Sequence, residues 1–264
     1  MNRPFPWNEL FSRQISRRVF TGFVGKFLGA VALWCLMPAR RVWAIFAKDD
    51  PRSKRPFYFG YAIDIEKCIG CGRCVEACKV ENNVPMEPFY FRTWVERYVI
   101  DQDHQLNVDS PNGGMNGFPD LPDEAKPHKT FFVPKLCNLC EASPCVQVCP
   151  VGATFKTEDG AILIDKEYCI GCRYCIQACP YGTRYFNPIT QVADKCSLCY
   201  HRVKKGLKPA CVEVCPTGTR MFGNYNDPED PLNKFIASNK VQILKPHMGT
   251  QPKTVYKGLD KEVH

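Results

Sequence analysis

Cys169-Ile-Gly-Cys-Arg-Tyr-Cys-Ile-Gln-Ala-Cys-Pro180 is the stretch that decides how this chain is read. Its cysteines, Cys169, Cys172, Cys175 and Cys179, are spaced C-x2-C-x2-C-x3-C-P. Working outward, the pattern recurs three more times. Cys68, Cys71, Cys74 and Cys78 repeat it with Lys79 in place of the proline. Cys137, Cys140, Cys145 and Cys149 lengthen the middle gap to four residues, and Cys196, Cys199, Cys211 and Cys215 lengthen it to eleven. The closing segments Cys74-Val-Glu-Ala-Cys78, Cys145-Val-Gln-Val-Cys149, Cys175-Ile-Gln-Ala-Cys179 and Cys211-Val-Glu-Val-Cys215 are one pattern written four times. That is internal duplication on the scale of a single binding unit.

The spacing suits a cubane. A [4Fe–4S] cluster takes one thiolate per iron, and two-residue gaps curl the backbone so that three sulfurs face one compact body. Amides in such a curl also point toward the negative inorganic sulfurs. The third and fourth cysteines stand i and i+4 on a short helix, about 6 Å apart along its axis. The third can then serve one cluster and the fourth its neighbour, as in two-cluster ferredoxins. Pro150, Pro180 and Pro216 disfavour helical geometry in the residue before them and close three of these helices. Lys79 leaves the first free to continue. Structural zinc would want two cysteine pairs per ion and gives no reason for the third and fourth positions. A disulfide framework would give scattered spacings in a small domain. Four complete quartets therefore imply four [4Fe–4S] clusters, with sixteen of the seventeen cysteines as iron ligands.

Ser16-Arg17-Arg18-Val19-Phe20-Thr21 precedes a moderately apolar stretch from Gly22 to Met37 and then Val42-Trp43-Ala44. This is the layout of a twin-arginine signal, which exports folded, cofactor-loaded proteins. Its core contains Lys26 and is short for the roughly 20 apolar residues of a membrane span. The segment is either cleaved or retained as an anchor. Cys35 lies inside it and belongs to no quartet. The expected location is the periplasmic, or extracytoplasmic, face of the cytoplasmic membrane. The whole chain has 35 basic and 27 acidic residues. Seven of the basic and one of the acidic fall in residues 1–44, leaving 28 and 26, or +2. Four oxidised cubanes, each about −2 with its thiolates, turn that negative. The basic residues are dispersed and no base-reading motif appears, so no nucleic-acid partner is expected.

Short apolar runs precede the quartets: Tyr58 to Ile63, Phe131 to Val133, and Ala161 to Ile164. They read as strands. The fold class is α+β: two ferredoxin-like dicluster modules, loop-rich, one nested inside the other. The segments are a signal (1–44), the first half of an outer module with an insertion (56–136), an inner module (137–192), the second half of the outer module (193–226) and a C-terminal extension (227–264). With fourth cysteines crossing over, the outer clusters are held by Cys68, Cys71, Cys74 and Cys215, and by Cys78, Cys196, Cys199 and Cys211. The inner ones are held by Cys137, Cys140, Cys145 and Cys179, and by Cys149, Cys169, Cys172 and Cys175. Phe89 to Ile100 reads as an aromatic strand or two. Residues 109–128, rich in Gly, Pro, Asn and Asp, read as a long surface loop. The tail from Val241 shows no helix or strand pattern beyond Val241 to Leu244 and is expected to lie over the surface or a partner.

Further motifs carry a family likeness: Ile65-Glu-Lys-Cys-Ile-Gly-Cys71, Glu81-Asn-Asn-Val-Pro85, Ala193-Asp-Lys-Cys-Ser-Leu-Cys199, Pro209-Ala-Cys-Val-Glu-Val-Cys-Pro-Thr217, Phe222-Gly-Asn-Tyr-Asn-Asp-Pro228 and Leu244-Lys-Pro-His-Met-Gly-Thr-Gln-Pro252. Over roughly residues 57–258 the chain resembles the four-cluster electron-transfer subunits of membrane-linked respiratory oxidoreductases. These include polysulfide, tetrathionate and DMSO reductases and the formate-dependent nitrite reductase system. The resemblance implies a wire between a membrane-embedded quinone-reactive subunit and a catalytic subunit, often molybdopterin-containing, with membrane association only through those partners. The alternative is a free exported polyferredoxin, a diffusible carrier. A catalytic iron–sulfur enzyme would need an open iron site or a second cofactor pocket, and no such motif is evident. No catalytic residue is expected, and His104, His128, His201, His247 and His264 are read as surface residues.

Overall fold

The strand that enters the first cysteine loop lies against the strand that leaves the fourth. In the computed structural model, which describes residues 55–122 and 127–263, β1 (Phe59–Asp64) runs antiparallel to β9 (Arg220–Asn224), from Phe59↔Asn224 to Ile63↔Arg220. The expected signal segment, with Cys35, lies outside the described residues. So does His264.

The C-terminal tail completes this sheet. β11 (Thr254–Lys257) adds parallel to β1, Tyr61↔Thr254 through Asp64↔Lys257, and β10 (Val241–Gln242) closes the edge. Thr254 and Tyr256 are fully buried. The expectation of a surface-lying tail is therefore wrong beyond Pro252. Only Thr254 and Tyr256 face inward, and a four-residue strand with two inward positions leaves too short an alternation to read from sequence.

A second sheet orders β3-β2-β4. β2 (Thr93–Ile100) pairs with β3 (Leu106–Asp109) and, along its whole length, with β4 (Lys129–Leu136), from Thr93↔Leu136 to Ile100↔Lys129. Residues 110–118, expected in a surface loop, instead fold back on this sheet. Ser110 donates to the Val95 carbonyl, Arg97 grips Asp109 through Nε and Nη2 at 2.8 and 2.7 Å, and Phe118 packs on Phe132. The connector also covers the first cysteine loop. At Gly72, in the left-handed region, an added Cβ would stand 2.1 Å from the Gly114 carbonyl oxygen, so only glycine admits this approach.

Two short hairpins link the remaining loops. β5 (Thr154–Lys156) pairs with β6 (Ile162–Ile164), between the second and third quartets. β7 (Arg184–Phe186) pairs with β8 (Ala193–Lys195), between the third and fourth. The core gathers Tyr61, Ile63, Leu136, Leu139, Leu198 and Tyr256, all buried to within 1% of complete, against Cys137 and Cys196. Loop residues of the cysteine quartets are thus part of the core itself.

Each quartet's last two cysteines sit on or beside a short helix. α1 (Arg73–Asn82) follows the first loop, and α2 (Pro144–Gln147), α3 (Tyr174–Gln177) and α5 (Ala210–Glu213) follow the others. The three helices that meet a proline are four residues long, and the fourth cysteine falls just past their end. α1 meets Lys79 instead and runs for ten residues, as expected. Lys79 turns inward, and its Nζ donates to the carbonyls of Pro85, at 2.8 Å, and Tyr90. α4 (Tyr200–Val203) occupies the long gap of the fourth quartet. α6 (Pro231–Ser238) packs on β9, its first turn capped by the Asp230 carboxylate accepting from the Leu232 amide at 2.8 Å. Among the described residues no helix is long and apolar enough to cross a membrane.

Candidate metal centres

All four cysteine loops bend at the same place. The residue before the second cysteine has positive φ in each: Gly70 (69°), Leu139 (49°), Gly171 (68°) and Leu198 (64°). Two are leucines, for which this conformation is unfavourable. Its repetition in four loops marks a shape imposed by what the loop encloses. The left-handed turn reverses the backbone around the thiols and aims successive amides inward, the concavity that binds anions.

The helices then bring the loops together in pairs. α1 packs on α5 and α2 on α3. Cys68 lies near Cys74 and Cys215, whose charges oppose its ionisation. Cys78 lies with Cys196, Cys211 and Cys199 of the fourth quartet. Asn82, one turn further along α1, joins the two loops directly: its Nδ2 stands 3.6 Å from Cys78 Sγ and 3.5 Å from Cys199 Sγ. Cys140 neighbours Cys137, Cys145 and Cys179. The remaining group is linked less directly, through the packing of α2 on α3, while Cys149 is surrounded by amides and accepts from Thr154 N at 3.4 Å.

Burial sets the electrostatics. It pushes the Cys68 and Cys211 thiols up to about 11, and Cys140 and Cys196 up to about 12. Three cysteines go the other way despite burial. Lys195, the Leu139 amide and Arg184 hold Cys137 below the usual thiol range. Cys149 is lowered by the amides of Thr154, Val151 and Ala153, and Cys215 by the amide of Arg220 and by Thr217. The turns after Cys149 and Cys215 are therefore anion nests.

The donor set fits an iron–sulfur cluster. The sixteen described cysteines are free thiols. Among the described residues no three Cys, His, Asp or Glu side chains converge tightly enough to hold a single metal ion. A cubane spreads its four ligands over four irons, while zinc would draw them to about 2.3 Å of one centre. Buried donors beside the thiols also lack acceptors: Arg184 Nη2 and Arg220 Nη1. A buried donor without an acceptor is unfavourable, and the inorganic sulfurs of a bound cluster would supply acceptors.

Sequence reasoning missed the charged residues behind the thiols. Arg92 is buried, ion-paired with Asp194 at 2.9 Å, and donates to Asn82 Oδ1 at 3.1 Å and Ser197 Oγ at 3.3 Å. It fixes the amide that touches Cys78 and Cys199. A signal was present for two others, since Cys179-Pro-Tyr-Gly-Thr-Arg184 and Cys215-Pro-Thr-Gly-Thr-Arg220 repeat the same extension. The four described histidines, His104, His128, His201 and His247, are exposed, as expected, and none is brought to a thiol group.

Comparison with known proteins gives the arrangement its family. Two models described as 4Fe-4S dicluster domain match, one over residues 67–153 and the other over 128–225. The B subunit of tetrathionate reductase from Archaeoglobus fulgidus is 46% identical over 199 residues, covering 75% of this chain and 81% of the relative. Its namesake from Salmonella typhimurium is 39% identical over 227 residues, covering 85% and 82%. The B polypeptide of polysulfide reductase from Wolinella succinogenes is 37% identical over 196 residues, covering 74% and 91%. Paired cysteine loops, unmet buried donors and these alignments agree: this protein belongs to the family of iron–sulfur electron-transfer subunits of reductase complexes, built on 4Fe-4S dicluster domains.

Proposed function

We propose that this chain holds four [4Fe–4S] clusters in two nested modules, and that it carries single electrons between a membrane-embedded quinone-reactive subunit and a catalytic subunit of the molybdopterin class. The observation that carries this reading is the Asn82 amide, which places Cys78 of the first quartet beside Cys199 of the fourth. That crossover, with β1 paired to β9, supports an outer module made of the first and fourth loops around an inner one made of the second and third.

The ligand groups then follow in a line. Cys68, Cys71, Cys74 and Cys215 come first, and Cys78, Cys196, Cys199 and Cys211 second. Cys137, Cys140, Cys145 and Cys179 come next, because Cys196 neighbours Cys137. Cys149, Cys169, Cys172 and Cys175 end the series. The clusters that these ligands would hold would supply one-electron transfer with no bond made or broken. The chain's own residues do the rest. Leu139 and Leu198 keep water from the middle of the line, and the loop amides and Asn82 hold the thiols. The two exposed ligand cysteines, Cys71 and Cys172, belong to the two end groups. Around Cys172, exposed Tyr168, Ile170 and Tyr174 leave an apolar surface, which suits a docked subunit more than a diffusing carrier. Relatives named for tetrathionate and for polysulfide both match this chain, at 46% and 37% identity, so the likeness alone does not name the substrate.

Export by the twin-arginine route, to the periplasmic face of the membrane, completes the proposal and rests on Arg17-Arg18 and the weak apolar core after them. Iron and acid-labile sulfide, measured on protein co-purified from its native membrane, test the reading. About sixteen of each per chain, with interacting cubane signals in electron paramagnetic resonance and partner subunits attached, is the expected result. Zinc, or no sulfide, refutes it. A full load on a solitary chain would favour the diffusible carrier.

A further inference from the structure

Arg184 and Arg220 occupy equivalent places. Each stands five residues after a fourth cysteine, at the end of the same Cys-Pro-x-Gly-Thr-Arg turn, and begins the strand that follows. Each is almost wholly buried, 5% and 2% exposed. Each ties one end of its guanidinium to a threonine on another element: Arg184 Nη1 to Thr154 Oγ1 at 3.3 Å, Arg220 Nη2 to Thr93 Oγ1 at 2.8 Å. In each the other terminal nitrogen, Nη2 of Arg184 and Nη1 of Arg220, is buried without an oxygen or nitrogen acceptor, and the Arg184 guanidinium also bonds the Cys175 thiol.

Among the described residues neither forms an ion pair with a carboxylate, unlike Arg92 with Asp194; their titratable neighbours are ligand thiols and, for Arg220, also Tyr61. A buried cation needs a buried anion. Which thiols they neighbour is informative. Arg220 faces Cys74 and Cys68 of one ligand group and Cys211 of the next. Arg184 faces Cys145 and Cys137 of one group and Cys175 of the next. Each arginine is thus a fixed cation shared between the two ligand groups of its module.

We propose that Arg184 and Arg220 are positioning residues of the electron path, each donating to and counter-charging both clusters of its own module and so raising the reduction potentials of that pair together. The proposal rests on the four-cluster assignment above. A fixed positive charge favours the state with one more electron, and placing it between two clusters acts on both. The cation therefore shifts the two sites of a module in the same direction.

Redox titration of the full-length, cluster-loaded chain, followed by electron paramagnetic resonance, tests this. Arg220→Gln should lower the one-electron reduction constants of the outer pair at least about tenfold, or 59 mV, leaving the inner pair in place. Arg184→Gln should do the reverse. Lysine at either position should restore most of the shift. Fully loaded glutamine variants with unshifted potentials overturn the proposal, as do lysine and glutamine variants shifted alike, which would mark a packing role only. Should the glutamine variants fail to load, the wild-type chain labelled with [15N]arginine decides. Nitrogen hyperfine coupling on the reduced clusters supports the donated hydrogen bond, and its absence overturns it. Wild-type protein short of four clusters would count instead against the four-cluster assignment.

Discussion

Replacing Arg92 by methionine removes the cation that connects a buried carboxylate to the first cysteine crossover. Arg92 and Asp194 are each more than nine-tenths buried and stand 2.9 Å apart. After Arg92→Met, Asp194 keeps its bonds from Tyr185 Oη at 2.9 Å and Asn187 Nδ2 at 3.2 Å but loses its only salt-bridge partner among the described residues. Taking one partner from a buried pair costs about 3–5 kcal/mol. Asn82 and Ser197 lose a charged donor as well. If the pair forms only late in folding, the loss appears in the unfolding rate, about a hundredfold or more at roughly 1.4 kcal/mol per decade. The assay is the anaerobic rate of cluster bleaching in guanidinium for Arg92→Met, Asp194→Asn and the double variant. Removing both partners leaves no lone buried charge, so the double variant should be more stable than the sum of the singles implies, by about 2–3 kcal/mol. Effects that add to within about 0.5 kcal/mol would refute the reasoning.

The same carboxyl gives a pH prediction. Burial alone would raise Asp194, but the charge and hydrogen bonds of Arg92, with Tyr185 and Asn187, outweigh it and hold the group below its ordinary value. A depressed carboxyl contributes stability that is present above its unfolded pKa of about 3.9 and is lost as pH falls through the lower folded value. Bleaching rates from pH 5 to 2 should therefore rise less steeply in Asp194→Asn than in the wild type, and identical slopes would contradict the assignment. Cys78→Ser should perturb the spectroscopic signature of the cluster held by Cys196, Cys199 and Cys211 more than that of Cys68, Cys71 and Cys74; loss confined to the latter rejects the crossover. Tyr256→Ala should cost about 3–5 kcal/mol, as large-to-small changes in a core do. Tyr256→Phe should be near neutral, because the hydroxyl is buried without a partner; bleaching rates that do not separate the two variants would place Tyr256 outside the core. Iron chelation under reducing conditions should remove native secondary structure together with the clusters, seen by circular dichroism, whereas a stripped chain with unchanged ellipticity would show that the fold stands without them.

The cysteine spacing made the dicluster family readable because a cluster is bound by local geometry: gaps of two and three residues place sulfurs whatever the rest of the chain does. Proline placement was readable for the same reason, and the longer α1 follows from Lys79 standing where the other loops have proline. What escaped was non-local. β11 gains its place from a parallel pairing with β1 almost two hundred residues away, and nothing in Thr254-Val-Tyr-Lys257 announces that partner. The connector at 110–118 has a turn-forming composition, which predicts bends but not that a carbonyl will rest on Gly72. Arg184 and Arg220 were visible as a repeat, yet a repeated arginine is ordinarily a surface residue. Its burial, not its sequence, makes it informative.

Charge accounts for why these arginines are buried at all. Among the described residues the buried side chains include Lys79, Arg92, Arg97, Lys135, Arg184, Lys195, Arg220 and Lys253, against only Asp64 and Asp194 as buried acids. Arg92, Arg97, Lys135 and Lys253 each approach a carboxylate within 4.0 Å. The other four do not, and all four neighbour ligand cysteines: Lys79 beside Cys78, Lys195 beside Cys137 and Cys196, and the two arginines as described. As neutral thiols those cysteines cannot balance them, and burial drives several toward the neutral form. Four thiolates on a cubane reverse that, bringing net negative charge to the place where the cations already stand. The chain supplies half of an electrostatic pairing and the clusters the other half, so cluster insertion and completion of the fold are one event.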